Sequence, residues 1–464
     1  MIFEREKNMN KALLSNRTNG YSKINEDTIN AMNEYCERYK DFLNRSRTER
    51  TTVANAIEIL KEKGFKEYDG REELKPGDRI YFNNRKRSLI AAVVGEASLA
   101  EGINIVASHV DSPRFDIRPV PLVEDNDIAL LKTHHYGWVR NHQWVSIPLM
   151  LTGVVYLADG TKVDVTIGDD PEDPVLVIPD LLPHISGEQD KLDLKKAYPA
   201  EKMNIYLATQ PVKFEDNFSV KFHALCLLNK KYGIIEDDFI SAELEAVPAI
   251  PVRDVGIDRS LIGGYGHDDR VCGYAALEAL VGLKTPKKTA VLLWADKEEI
   301  GNVGIGGAAS KSFDYYVGLM CRSQGVNRED CYQNSFCLSA DVTVAYDPNY
   351  SEYFSKENTA VLNSGIAIQK YTGHGGKENA SDAPAELVSK LRTLFNENGI
   401  LFQSAEMGRL DLGGGGTVAL EFTNRGIDTI DAGVAMLCMH SPFEIVAKLD
   451  CYMTHKAYKT VFES

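Results

Sequence analysis

The chain has 464 residues, 44% of them hydrophobic and 26% charged. This is an ordinary globular composition, with length for two or three domains and an ample core. The formal charge of −15 argues against nucleic acid and anionic membrane as general partners.

Eight cysteines are scattered without a CxxC pair. A thiolate zinc ribbon is therefore not supported, and reduced, mostly buried thiols are expected. The opening stretch MIFEREKNMNKALLSNRTNG has no apolar leader region. No apolar run approaches the ~20 residues that span a bilayer. Cytoplasm is the expected compartment.

Residues 25–65 repeat apolar positions at three- and four-residue spacing, which predicts helices, with Gly64 placed to end the last one. DRIYFNN, SLIAAVVG and INIVASHVD then read as strands. From about residue 118 the pattern becomes β-rich, through RPVPLVEDNDIALLKTHHYGWVRNHQW, SIPLMLTGVVYLADGTKVDVTIG and PVLVIPDLLPHIS. Asp159-Gly160 between two β-branched runs predicts a hairpin. KFHALCLLNKKYGI follows, and EDDFISAELEAVPAIPVRDVGI returns to strand. From residue 268 helix and strand alternate to the end. The expected fold is α/β with a mixed sheet, formed by residues 1–117 and 248–464. A β-rich domain over 118–247 interrupts it.

Metal-type ligands lie along this frame in a suggestive order. His109 and Asp111 stand in ASHVDSP, Asp268 in GHDDR, Glu298 and Glu299 in DKEEIG, Asp341 in SADV and His440 in CMHSP. Three of these groups follow short apolar strands, and sites in open α/β sheets gather at the carboxyl ends of strands. Asp268 opens a predicted helix, where the helix N-terminus also stabilises a carboxylate.

Each motif alone has a plainer explanation: a strand-end turn, an acidic helix cap, a solvated acidic turn or a core histidine. Together they suit a two-metal hydrolase, in which one acid of the Glu298–Glu299 pair binds metal and the other moves the proton. Asp111 is placed to fix the His109 ring.

Competing motifs are weaker. GNVGIGG and the four glycines 413–416 carry neither a Walker lysine nor a full GxGxxG after a strand, and no GxSxG elbow occurs. His134, His135 and His142 read as a β-domain surface or subunit contact. The glycines 413–416 read as a close backbone approach to substrate or as a flexible turn.

ASHVDSP, HDDRVCGYAALEAL, DKEEIG, SAD and MHSP, in this order and spacing, resemble the aspartyl aminopeptidase family of metallopeptidases. HYGWVRNHQW also resembles a segment of that family's inserted domain. The resemblance covers nearly the whole chain.

It implies a co-catalytic pair of Zn²⁺ ions per subunit, with Co²⁺ or Mn²⁺ able to occupy such sites. Asp268 would bridge the ions. His440 and Glu299 would complete one position, and His109 and Asp341 the other. Glu298 would be the general base and Asp111 would orient His109. It further implies peptide substrates, a dimerising inserted domain and a tetrahedral dodecamer. In that assembly His184 would reach a neighbouring active site.

The family's lysine for acidic side chains aligns here with Gln369, beside Lys370. This points to substrates with neutral or hydrophobic N-terminal residues. Two other readings stay open: a dizinc amino-acid deacylase, and a metal-binding assembly protein with a degenerate site.

Overall fold

The computed structural model describes Leu13 and residues 17–464. Most of the N-terminal stretch read above for a leader lies outside the described residues. No helix among them is long and apolar enough to cross a membrane.

The two predicted helices form at Glu26–Arg45 and Glu49–Glu62. Asn25 caps the first by accepting the Thr28 N–H at 3.0 Å, and Glu26 and Asp27 occupy its positive end. Thr48 caps the second, and Gly64 ends it at φ +81°, a conformation that suits glycine. Their apolar stripes, including Tyr35, Tyr39, Phe42, Val53 and Leu60, share one core with the helices His267–Val281 and Lys448–Glu463. The helices Ser312–Ser323 and Arg328–Gln333 contribute to a second core. Each large apolar side chain buried in these layers contributes about 1.5–3 kcal/mol.

A nine-stranded sheet lies between the two cores. At its centre Thr289–Ala295, Ile103–His109, Phe336–Ser339 and Asp428–Gly433 run parallel as neighbours. Strands buried on both faces read as continuous apolar runs, as IVASH and AVLLWA do. A five-stranded sheet joins Arg253–Val255, Leu261–Gly264, Glu444–Ala447, Ala435–Leu437 and Thr343–Val344.

Residues between Arg114 and Pro248 build a separate six-stranded sheet with its own apolar cluster around Phe115, Trp144, Leu151 and Leu244. The expected hairpin forms, with Tyr156 opposite Lys162 and Gly160 at φ +84°. PVLVIPDLLPHIS is not a strand. Only Leu176 and Val177 make single bridges there, because Pro174, Pro179 and Pro183 remove ladder donors. KFHALCLLNKKY lies in the helix Val220–Tyr232, and the return to strand starts only at Ala242, after a 3₁₀ turn at Glu236–Ser241. Six cysteines are buried, while Cys226 and Cys438 are exposed.

Candidate metal centre

Three parallel neighbours bring most of the site together. Ala295 is in register with His109, and Ser339 with Ala107. Their carboxyl ends therefore set His109, the Asp296–Glu299 turn and Asp341 side by side. Asp268 arrives from another direction. The strand Leu261–Gly264 turns at Gly266 (φ +82°), and Asp268 keeps an extended backbone (φ −80°, ψ 109°) before the helix proper begins. Added bulk at Gly266 would strike the buried Arg270 guanidinium, which donates to Val110 O at 3.1 Å. His440 stands in the turn between Ala435–Leu437 and Glu444–Ala447, at φ +65°.

The two carboxylate oxygens of Asp268 face opposite histidines. His109 Nε2 is 3.2 Å from Oδ1, and His440 Nε2 is 3.1 Å from Oδ2. Asp341 Oδ1 lies 3.8 Å from His109 Nε2, and Glu299 Oε2 lies 3.4 Å from His440 Nε2. The far side of each ring is fixed by a carbonyl, which can only accept. His109 Nδ1 donates to Asp111 O at 3.0 Å, and His440 Nδ1 donates to Trp138 O at 3.1 Å. Both Nε2 atoms are thereby aimed into the carboxylate cluster.

Asp111 has a wider role than its sequence position suggests. It accepts the backbone N–H groups of Glu298 and Glu299, each at 3.2 Å, and the Tyr136 hydroxyl at 2.8 Å. One buried carboxylate therefore anchors the His109 loop, the Glu298–Glu299 turn and a strand of the six-stranded sheet. Tyr136, the Trp138 carbonyl and Glu444, which accepts two backbone N–H groups in this site, were not singled out from the sequence. Their signals were the HYGW string and the glutamate four residues after His440.

The electrostatics are those of a cation site. No lysine or arginine pairs with Asp268, Glu298, Glu299 or Asp341 among the described residues. Asp268 Oδ1 and Glu299 Oε1 are buried without a hydrogen-bond partner. Isolated buried carboxylates are costly unless paired or bound to metal.

Burial pushes Glu298 up to about 8, and the charges of Asp341, Asp111 and Asp268 add to the push. Burial also raises Glu299 and Asp341. Burial opposes charge on His440, but Glu299 and Asp268 outweigh it and lift this ring to about 10. The cluster draws in positive charge even from its own histidines. Two imidazoles with oxygen donors are the set that zinc accepts, so the residues present fit the metal.

The remaining predicted residues make no hydrogen bond or ion pair with this cluster. Gln369 is 1% exposed, and its Oε1 accepts from Thr343 Oγ1 at 2.9 Å. Lys370 next to it is exposed. His184 is exposed in the loop after Pro183 and touches none of the cluster in its own chain.

Gly413–Gly416 fold against their own chain. Gly415 O accepts the Gly373 N–H at 2.7 Å, and Gly414 (φ +128°) leaves no room for a side chain beside Gly373 O. The glycines 301–307 close a turn in which Asp296 N–H donates to Gly306 O at 3.0 Å.

A cluster of two histidines and several carboxylates, at the carboxyl edge of a largely parallel sheet, defines a metal-dependent hydrolase. Residues 42–462 match the family model described as Aminopeptidase I zinc metalloprotease (M18). The chain belongs to this family of zinc-dependent aminopeptidases, as the resemblance implied.

It is 41% identical to a probable M18 family aminopeptidase 1 of Borrelia garinii over 455 residues, covering 96% of this chain and 99% of that protein. The crystal structure of an M18 aminopeptidase from Thermotoga maritima superposes with a TM-score of 0.92 at 39% identity, covering 97% of this chain and all of that one. The mApe1 dodecamer of S. cerevisiae shares the fold, with a TM-score of 0.74 at 22% identity over 93% of this chain and 97% of that one.

Proposed function

We propose that this aminopeptidase removes the N-terminal residue of peptides at a site for two zinc ions, with Glu298 as the general base. The observation that carries the reading is the placement of Asp268 between two histidines, 3.2 Å from one and 3.1 Å from the other. A carboxylate with one oxygen towards each histidine is suited to bridge. His109 and Asp341 would hold one ion, and His440 and Glu299 the other. When bound, the pair supplies a water acidified towards neutral pH and polarisation of the scissile carbonyl.

The chain's own residues do the rest. Glu298 is half-buried beside the ligands, with Asn302 Nδ2 at 3.4 Å from its Oε1. Its carboxylate takes the proton from the attacking water and returns it to the leaving amine. Burial and the neighbouring acids raise Glu298 to about 8, and two bound cations would lower it from there, which would keep the basic form populated at neutral pH. Asp111 holds the Glu298 backbone and the His109 loop in fixed relation. The surplus of carboxylates favours a substrate whose free α-amine is cationic, which is the mark of an exopeptidase.

The resemblance places Gln369, beside Lys370, where acidic-selective members carry a lysine, which favours neutral or hydrophobic N-terminal residues over acidic ones. The six-stranded region is assigned as the oligomerisation module. Its assembly would be a tetrahedral dodecamer that brings His184 to a neighbour's site.

The test is hydrolysis of aminoacyl-p-nitroanilides and dipeptides, with N-acetylated controls, by wild type and Glu298→Gln. Cleavage of free-amine substrates only, lost on chelation, is expected. Glu298→Gln should retain two zinc ions and lose about 10²–10⁴-fold in kcat. Wild-type turnover in that variant removes Glu298 from the role. Cleavage of the acetylated controls would instead make the protein a deacylase.

A further inference from the structure

Glu444 sits at the first position of the strand Glu444–Ala447, opposite Gly264 in the adjoining strand. It is 1% exposed. Oε2 accepts the backbone N–H of Asp268 at 3.1 Å, and Oε1 accepts the backbone N–H of His440 at 2.8 Å. One carboxylate thus joins the two residues whose side chains stand 3.1 Å apart on the other side of the backbone.

Both amides need this partner. Asp268 lies outside the helical conformation, and neither N–H makes a backbone hydrogen bond among the described residues. A buried N–H left without a partner destabilises the folded state. His440 and Cys438 both hold positive φ, +65° and +58°, where non-glycine residues stay only if their surroundings hold them. The Ser441 N–H to Cys438 O bond at 3.0 Å closes the turn, and Glu444 fixes its orientation towards Asp268.

We infer that Glu444 is a positioning residue for the metal centre: its carboxylate clamps the Asp268 and His440 backbones so that both side chains meet the same ion. The inference rests on the reading that these two residues are metal ligands. The clamp reaches across 176 residues of sequence to Asp268, which explains how two distant segments hold a fixed spacing. Glutamine cannot replace it. A glutamine side chain offers one acceptor oxygen and one NH₂, so one of the two backbone N–H groups would face another donor.

The experiment uses the full chain as wild type and Glu444→Gln. Hydrogen exchange of the metal-free proteins is followed in peptides covering 264–272 and 436–446. Zinc binding is measured by competition with a chromophoric chelator, and thermal unfolding of the metal-free forms serves as the control. Faster exchange in both peptides, with zinc binding about 10–100-fold weaker and metal-free unfolding within ~2 °C of wild type, is the expected result.

Unchanged exchange in either peptide overturns the clamp, whatever the zinc result. Wild-type zinc affinity in the variant overturns its bearing on the metal. A metal-free variant that unfolds much earlier, or fails to fold, also overturns the proposal, because Glu444 would then hold the fold rather than the ligands. If the wild type itself binds fewer than two zinc ions, the ligand reading fails. The exchange data then still decide the clamp.

Discussion

At the scale of single residues, this site gathers acids that water would never leave so close. The crowding reaches past the cluster to Asp431. That side chain stands in register with Ser339 on the neighbouring strand and accepts the Thr417 hydroxyl at 2.7 Å. Its other oxygen is buried without a partner. Burial pushes this carboxyl up to about 7, and Asp341 adds to the push.

A carboxyl raised in the folded state holds its proton there while the unfolded chain has already released it. Stability tied to that proton is present below the unfolded value near 4 and is lost as pH rises to about 7. The amide introduced by Asp431→Asn would resemble the neutral acid at every pH. Thermal unfolding of the metal-free variant should match wild type near pH 4 and gain on it steadily towards pH 7. Above that the gap should stay constant. A gap that does not change with pH would mean that Asp431 is already ionised in the fold.

At the scale of elements, the site was legible where chemistry coincides with the ends of apolar runs. IVASH, AVLLWA and FCLS are short and continuous, and each delivers its polar residues at the carboxyl edge. Asp268 and His440 were legible as residue types in order. Their meeting was carried by the family resemblance alone, because it depends on two turns in the five-stranded sheet. Glu444 and the Trp138 carbonyl left only faint signals, for a simpler reason. Their partners lie 176 and 302 residues away, and a backbone carbonyl carries no side-chain signal at all. PVLVIPDLLPHIS misled because its apolar content resembles a strand while three prolines forbid the ladder.

The segment Tyr136–Trp138 shows what such hidden contacts do. Its phenol meets Asp111 and its carbonyl meets His440. Gly137 between them, at φ +70°, would place a Cβ 3.3 Å from the Cβ of Glu299. Gly137→Ala therefore brings a strained φ, at roughly 1–2 kcal/mol, together with pressure on Glu299, a proposed ligand. Zinc titration should show one ion held as in wild type and one weakened, the weaker being that of Glu299 and His440. Equal weakening of both, or of neither, would detach this segment from the Glu299 half of the site.

At the scale of the whole molecule, the question is whether the six-stranded region and the catalytic layers unfold together. Each has its own core, which by itself permits separate transitions. A set of ion pairs joins them, largely buried but with Glu243 exposed. Arg87 binds Glu49 on the second helix, Glu243 in the six-stranded sheet at 2.6 Å and Asp296 beside the metal centre at 2.8 Å. Arg114 binds Glu49 at 3.4 Å and Glu245 at 3.2 Å.

Removing one of the buried partners Glu49, Arg114 or Glu245 costs about 3–5 kcal/mol, and the Tyr136 and Trp138 contacts add to the joint. The proposed zinc ligands are drawn from segments spread along the chain, from His109 to His440. At a hundredfold excess over its dissociation constant zinc should add about 2.7 kcal/mol per ion. The unfolding entropy of a chain this size is roughly 1 kcal/mol per kelvin, so each ion should raise Tm by ~3 °C if the chain unfolds as one unit. Calorimetry should therefore show a single transition that rises with zinc and returns with chelator. A zinc-insensitive second transition would show that the ion-pair network does not couple the two cores. The inserted sheet would then influence the metal centre only through the Tyr136–Trp138 segment.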